Sequence, residues 1–209
     1  NKEFLDKISK EYDTSYILDE DKLIFEKGVV DYLGINAYDR VLVKPYTSGG
    51  TTLIANNTGD GKTKNSTIIK GWFELDEDPN MPKNAWGCEL YPKSVYNLLK
   101  YLKELYPETP VIITENGLGY YDELVNGEVN DDYRIDFLSG FIGWINKARK
   151  EGCDVRGYFV WSTMDLYSWI NGYKKRYGLV YIDYENNNKR IPKKSYYWYK
   201  KMIGEEEKI

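Results

Sequence analysis

Glu115 follows the apolar run Val111-Ile112-Ile113-Thr114 and precedes Asn116-Gly117. The run is β-rich and short, so the carboxylate stands at the end of a predicted buried strand. In parallel α/β architectures that end is the rim where catalytic groups collect. A carboxylate so placed is a candidate catalytic group. The competing reading is a turn, because Asn-Gly favours turns and an acid beside one is often simply solvated.

A second stretch, Trp161-Ser162-Thr163-Met164-Asp165-Leu166-Tyr167-Ser168-Trp169, follows another predicted strand, Val155 to Trp161. Asn171-Gly172-Tyr173-Lys174-Lys175-Arg176-Tyr177 comes next. Indoles, hydroxyls and cations interleave here, which suits a ligand that is sugar-like on one side and anionic on the other. Rings stack on sugar faces, Lys supplies a point charge, and Ser and Tyr are neutral donors to a phosphate group. A solvated basic loop beside aromatic core residues fits the same residues.

Composition narrows the chemistry. The 209 residues contain no His, which excludes His-based triads, His–metal sites and a His general base from this chain. The only two cysteines are Cys88 and Cys153, far apart, so neither a disulfide framework nor a structural zinc site is expected. A reducing cytoplasm is the default compartment. The net charge of −4 argues against nucleic acid as a partner, although basic and aromatic residues interleave from Lys174 to Lys201. No apolar run approaches the roughly 18 to 20 residues that span a bilayer, and no basic, apolar segment at the start of these residues resembles a signal peptide. The 21 Tyr and 6 Trp form a core or line a carbohydrate site.

The elements that must position these groups alternate. Residues 1–27 read as a surface helix followed by a loop at Asp19-Glu20-Asp21. Val29 to Asn36 reads as a strand covered on both faces. The polar stretch 44–70 reads as a long loop or peripheral hairpin. Within it, Gly61-Lys62-Thr63 resembles a phosphate-binding loop, but Asn56 replaces the required glycine and no strand precedes it. Two Asn-X-Ser/Thr patterns there, at Asn56 and Asn65, fit chance. A helix begins near Tyr91-Pro92, with Val95, Leu98, Leu99, Leu102 and Leu105 on one face. A second, capped by Asp131 or Asp132, presents Ile135, Leu138, Phe141, Ile142, Ile145 and Ala148, and Gly152 ends it. Strand, helix, strand, helix, strand predicts a parallel sheet with covering helices. Three strands cannot close a barrel, so residues 1–209 read as a single incomplete domain. A C-terminal amphipathic helix with a lysine-rich outer face completes the chain.

Three segments together resemble glycoside hydrolase family 1, the retaining β-glycosidases on a TIM (β/α)8 barrel. Ile113-Thr114-Glu115-Asn116-Gly117 resembles the nucleophile motif of that family, Asp31-Tyr32-Leu33-Gly34-Ile35-Asn36-Ala37-Tyr38 its sixth strand, and Trp161 to Trp169 its eighth. They occur in family order, and the similarity covers about Gly28 to Ile203. Family β-glucosidases usually carry Glu where Ser168 stands, and a carboxylate there would repel a 6-phosphate. Ser168, Lys175 and Tyr177 match the spacing of the phosphate-binding set in the 6-phosphoglycosidases. Trp169 after that Ser, and the run from Asn171 to Gly178, resemble the 6-phospho-β-galactosidase branch more than the 6-phospho-β-glucosidase one.

The resemblance implies the C-terminal portion of a TIM barrel, about strands six to eight, and retaining hydrolysis of a 6-phospho-β-galactoside such as lactose 6-phosphate. Glu115 would be the nucleophile and Tyr38 the residue that orients it. Asn36, Trp161 and Trp169 would bind the sugar, and Ser168, Lys175 and Tyr177 the phosphate. No metal or organic cofactor is implied. Ala37 stands where the family usually has Tyr, and Phe141 where His is common on a helix. The Asn-Glu-Pro-like motif that supplies the acid/base Glu does not occur in this sequence, nor do the upstream Gln and His–Trp sugar ligands. The implied partners are therefore a phosphorylated disaccharide and the N-terminal part of the barrel, with no nucleic acid or membrane. A 6-phospho-β-glucosidase, or a catalytically incomplete fragment without the acid/base Glu, is the alternative.

Overall fold

The computed structural model describes residues 2–59, 62 and 64–206. The chain opens with α1 (Lys2–Ile8) and α2 (Asp19–Lys27), neither of which buries a residue. The acids expected to form a loop, Asp19, Glu20 and Asp21, are the first turn of α2. Carboxylates are favoured there by the positive end of the helix dipole, and Asp21 also accepts the Leu18 N–H at 3.0 Å. α1 rests on Trp72, with Phe4 edge-on at 5.4 Å and the Lys7 ammonium 3.9 Å from its ring centre.

β1 (Leu33–Asn36) starts four residues later than the apolar run suggests, and Val29, Val30 and Tyr32 before it are exposed. The polar stretch 44–70 forms, with its flanks, an antiparallel sheet of β2 (Leu42–Pro45), β3 (Thr52–Ile54), β4 (Ser66–Ile69) and β5 (Phe73–Asp76). Its order is β2-β5-β4-β3. It is an excursion between β1 and the next parallel strand. Asp60, Gly61 and Thr63, part of the rejected phosphate-loop match and its flank, lie outside the described residues.

α3 (Lys93–Leu105) follows Pro92 and buries Val95 and Leu99, whereas Leu105, in its last turn, is exposed. β6 (Val111–Asn116), α4 (Asp132–Lys150) and β7 (Val155–Val160) complete a parallel sheet in the order β1-β6-β7. Leu33 to Ile35 pair with Val111 to Ile113, and Ile113 with Tyr158. A hairpin of β8 (Val180–Asp183) and β9 (Lys189–Pro192), not foreseen from the sequence, leads into α5 (Lys194–Glu206). Gly152, at φ +85°, ends α4 by turning left-handed.

The core lies on one face of the parallel sheet. Leu99 of α3, Ile113 of β6, and Leu138, Phe141 and Ala148 of α4 are almost inaccessible. Strands covered on both faces were expected, but Gly34, Asn36, Thr114 and Phe159 are exposed. α3 and α4 cover one face, and among the described residues no layer covers the other. β1 and β7 are each paired on one side only.

Candidate active site

Alternation along the parallel strands sends every second side chain to the open face, and the carboxyl ends deliver the polar ones together. Tyr38, two residues beyond β1, donates its hydroxyl hydrogen bond to Glu115 Oε2 at 2.6 Å. Burial, the hydrogen bond and the Glu115 charge together push the Tyr38 phenol far above its ordinary value. It therefore stays a donor, and the carboxylate is held by a neutral, oriented group. On the same rim the Thr114 hydroxyl donates to Asn36 Oδ1 at 2.7 Å, which fixes the Asn36 amide with its nitrogen turned away from Thr114.

Asn116, beside the carboxylate, is fully buried rather than part of a solvated turn. Its Nδ2 donates to the Ala37 carbonyl at 2.6 Å, and its Oδ1 accepts the Tyr158 hydroxyl at 2.5 Å. The Trp161 N–H donates to the Asn116 carbonyl at 2.8 Å, and the Ala37 N–H to the Glu115 carbonyl at 2.9 Å. One side chain thus ties the ends of all three parallel strands behind Glu115. In the sequence Asn116 reads as half of a turn signal and as part of the motif around Glu115, with no role of its own. It is the last residue of β6, beyond the apolar part of that strand, which gives no sign of its burial.

Beyond β7 the chain forms a tight hairpin in which Ser168 and Gly172 exchange backbone hydrogen bonds at 2.8 and 2.9 Å. The Ser168 hydroxyl accepts the Asn171 N–H at 3.2 Å. The Tyr177 hydroxyl donates to Asn171 Oδ1 at 2.9 Å and also interacts with Ser168. The Lys175 ammonium lies 5.7 Å from the Tyr177 ring centre and 4.2 Å from that of Trp86. No carboxylate among the described residues is within 4.0 Å of it. Burial lowers its pKa, against the longer-range pull of Cys88 and Asp39. Ser168, Lys175 and Tyr177 therefore come together. Trp161 stands at the rim, 36% exposed, but Trp169 is 96% exposed and makes no wall with the other residues here.

A buried ionic network, absent from the sequence reading, fixes this loop. Lys193, fully buried, donates to Asp165 at 2.7 Å and to Asp122. Asp165 also accepts Arg176 at 2.8 Å and the Gly178 N–H at 2.9 Å. Arg134 joins Asp122 at 3.0 Å to Asp131 and reaches the Leu118 and Arg176 carbonyls. Burial and the neighbouring Arg134 charge push Lys193 down, while Asp122 and Asp165 oppose them. Asp131 stands at the start of α4, yet its side chain does not cap the helix. It accepts the Ser195 N–H at 2.8 Å and the Ser195 hydroxyl at 2.6 Å, because buried Arg134 and Ser195 compete for it. An isolated Asp at 165 amid Trp, Met, Leu and Tyr was the one legible sign of this network.

Among the described residues, no group of three or more metal-ligating side chains gathers, and no helix is long and apolar enough to cross a membrane. The family model described as glycosyl hydrolase family 1 matches residues 1–208. A 6-phospho-beta-galactosidase of Streptococcus mutans is 42% identical over 177 residues, covering 84% of this chain and 37% of that protein. Another, from Staphylococcus aureus, is 41% identical over 196 residues, covering 91% and 41%. Among solved structures, a beta-glucosidase from Thermotoga maritima in complex with castanospermine superposes with a TM-score of 0.77 at 33% identity, covering 98% of this chain and 40% of that one. The same organism's enzyme in complex with azafagomine gives 0.73 at 35% identity, covering 88% and 37%. The chain thus spans about two fifths of the length of the relatives it matches.

Proposed function

This chain belongs to glycosyl hydrolase family 1, and we propose that it carries the nucleophile and phosphate sites of a retaining 6-phospho-β-galactosidase. The observation that carries the reading is the Tyr38–Glu115 hydrogen bond of 2.6 Å at the carboxyl rim of adjacent parallel strands. In this reading β1, β6 and β7 are barrel strands six to eight.

Glu115 attacks the anomeric carbon through an oxocarbenium-like transition state as the bond to the leaving oxygen breaks. A glycosyl-enzyme forms, and water then hydrolyses it. The acid/base carboxyl first gives its proton to the leaving oxygen and later takes one from the water. That residue lies outside this sequence. Tyr38 holds Glu115 in the attacking orientation, Asn36 meets the sugar near the reacting centre, and Trp161 walls it. Ser168 and Tyr177 donate to the phosphate and Lys175 supplies its countercharge. The galacto preference rests on Trp169 following Ser168 and on the run from Asn171 to Gly178. The galactosidase names of the Streptococcus and Staphylococcus relatives support it.

A second reading has its own support. The sequence holds no Asn-Glu-Pro-like motif, and the chain covers only 37% of the S. mutans relative. Alone, the 209 residues would then bind phosphosugar without turning it over. Rates on the nitrophenyl 6-phosphogalactoside, 6-phosphoglucoside and plain galactoside, for the chain alone and joined to the remaining strands, separate the possibilities. A faster phosphogalactoside rate in the joined form supports the proposal. Equal rates on phosphorylated and plain galactosides contradict it.

A further inference from the structure

Lys175 is the cation of the proposed phosphate site, and among the described residues no carboxylate lies within 4.0 Å of it, Asp39 acting only from longer range. Its ammonium sits over the Trp86 ring at 4.2 Å from the centre. Its stem passes over Gly119, where a β-carbon would lie 2.5 Å from Lys175 Cε. Trp86 itself is 2% exposed and clamped from several sides. Asn84 Oδ1 accepts the Trp86 N–H at 2.9 Å, and the Trp86 carbonyl accepts Asn65 Nδ2 at 2.9 Å. Tyr121 packs on the indole at 4.8 Å between ring centres and donates to the Thr58 carbonyl at 2.6 Å. Gly59, at φ +65°, completes the wall; a β-carbon there would lie 2.5 Å from the indole.

Among the described residues the indole Nε1–H has no hydrogen-bond partner. Leaving it buried and unsatisfied destabilises the fold, and Phe or Leu would fill this position without that penalty. What the indole offers in return is the strongest aromatic face for a cation. A carboxylate in its place would hold Lys175 as well but would neutralise it and repel an incoming phosphate. A π face localises the ammonium and leaves its charge free for the ligand.

We propose that Trp86 is a positioning residue for Lys175, fixing the ammonium through its indole face so that the site discriminates phosphorylated from plain sugars. The proposal rests on the phosphate-site reading of Ser168, Lys175 and Tyr177. It also gives the antiparallel excursion a role, since residues 56–59 and 84–88 of that region build the platform. Asn171, which accepts Tyr177, donates in turn to the Asn57 carbonyl at 2.6 Å.

The test uses the 209-residue chain, with galactose 6-phosphate and galactose as probes in titrations of wild type, Lys175→Ala, Trp86→Leu and Trp86→Phe. Proton NMR of the unliganded proteins reports ring-current shifts of the Lys175 methylenes. Wild type should prefer the phosphorylated sugar, and Lys175→Ala should abolish that preference. Trp86→Leu should reduce it on the order of tenfold and Trp86→Phe by less, the difference between losing and weakening a desolvated cation–π contact. Plain galactose affinity should not change, and the upfield Lys175 signals should vanish in Trp86→Leu. A purely structural role would lower both affinities together. Trp86→Leu retaining the preference that Lys175→Ala loses would overturn the Trp86 assignment alone. Wild type without any preference would overturn the phosphate site, and the role of Trp86 with it.

Discussion

The Tyr38 hydroxyl donates to Glu115 Oε2 across 2.6 Å, from a residue 77 positions earlier in the chain. The contact exists because β1 and β6 are parallel neighbours whose carboxyl ends open on one rim. A phenol pushed far above its ordinary value by burial and by Glu115 keeps its proton throughout the working pH range. Tyr38→Phe removes one hydrogen bond to a charged group, about 1.5 to 3 kcal/mol. In the form joined to the remaining barrel strands, kcat should fall by roughly ten- to hundredfold while KM for the phosphosugar changes little. An unchanged kcat would mean that this hydrogen bond does not orient the nucleophile.

The strand ends and their order were legible because short β-rich runs alternate with amphipathic helices, and Glu115 closes one of those runs. The proposed phosphate set was readable first as interleaved hydroxyls and cations after a strand, and the choice of Ser168, Lys175 and Tyr177 within it came from the resemblance in spacing. Two kinds of feature were not legible. Asn116 and the network members Asp122, Asp131, Arg134 and Lys193 look like ordinary surface residues in sequence, because their burial comes from partners as many as 79 positions away. The antiparallel sheet between β1 and β6 was read as loop or hairpin because Thr, Asn, Gly and Lys dominate it, and exposed strands carry little alternation. α2 was missed where three acids in a first turn look the same as three acids in a loop.

Lys175 gives a pH signature. Burial lowers its pKa, so its positive charge is present at acid pH and is lost as pH rises through a value below that of an ordinary lysine. The ligand phosphate gains its second charge near pH 6. Affinity for galactose 6-phosphate should rise above about pH 6 and fall again on the alkaline side. Titrations across that range should show no alkaline fall in Lys175→Arg, whose guanidinium stays charged. An alkaline limb that persists unchanged in the Arg variant would place the titrating group elsewhere.

Lys193 is fully buried between Asp122 and Asp165. Lys193→Met leaves two buried carboxylates short of a countercharge, which costs about 3 to 5 kcal/mol when a buried pair is broken from one side. Urea denaturation should show that loss together with faster proteolysis between Trp161 and Lys175. A stability change below about 1 kcal/mol would show that the network does not hold the loop.

The open sheet face and the unpaired edges of β1 and β7 predict association. Phe159 is 60% exposed on a strand whose outer edge makes no ladder among the described residues. Such surfaces drive edge pairing and aggregation. Sedimentation of the 209-residue chain should show concentration-dependent species larger than a monomer, reduced by Phe159→Lys. A monodisperse monomer at all concentrations would contradict the open sheet.

Covalent trapping reads out directly whether Glu115 is the nucleophile. A 2-deoxy-2-fluoro 6-phosphogalactoside with a good leaving group forms its glycosyl-enzyme faster than water can remove it. Applied to the chain joined to the remaining barrel strands, it should inactivate the enzyme, and peptide mass spectrometry should find one sugar on Glu115 and none in Glu115→Gln. A label carried by any other carboxylate would contradict the account.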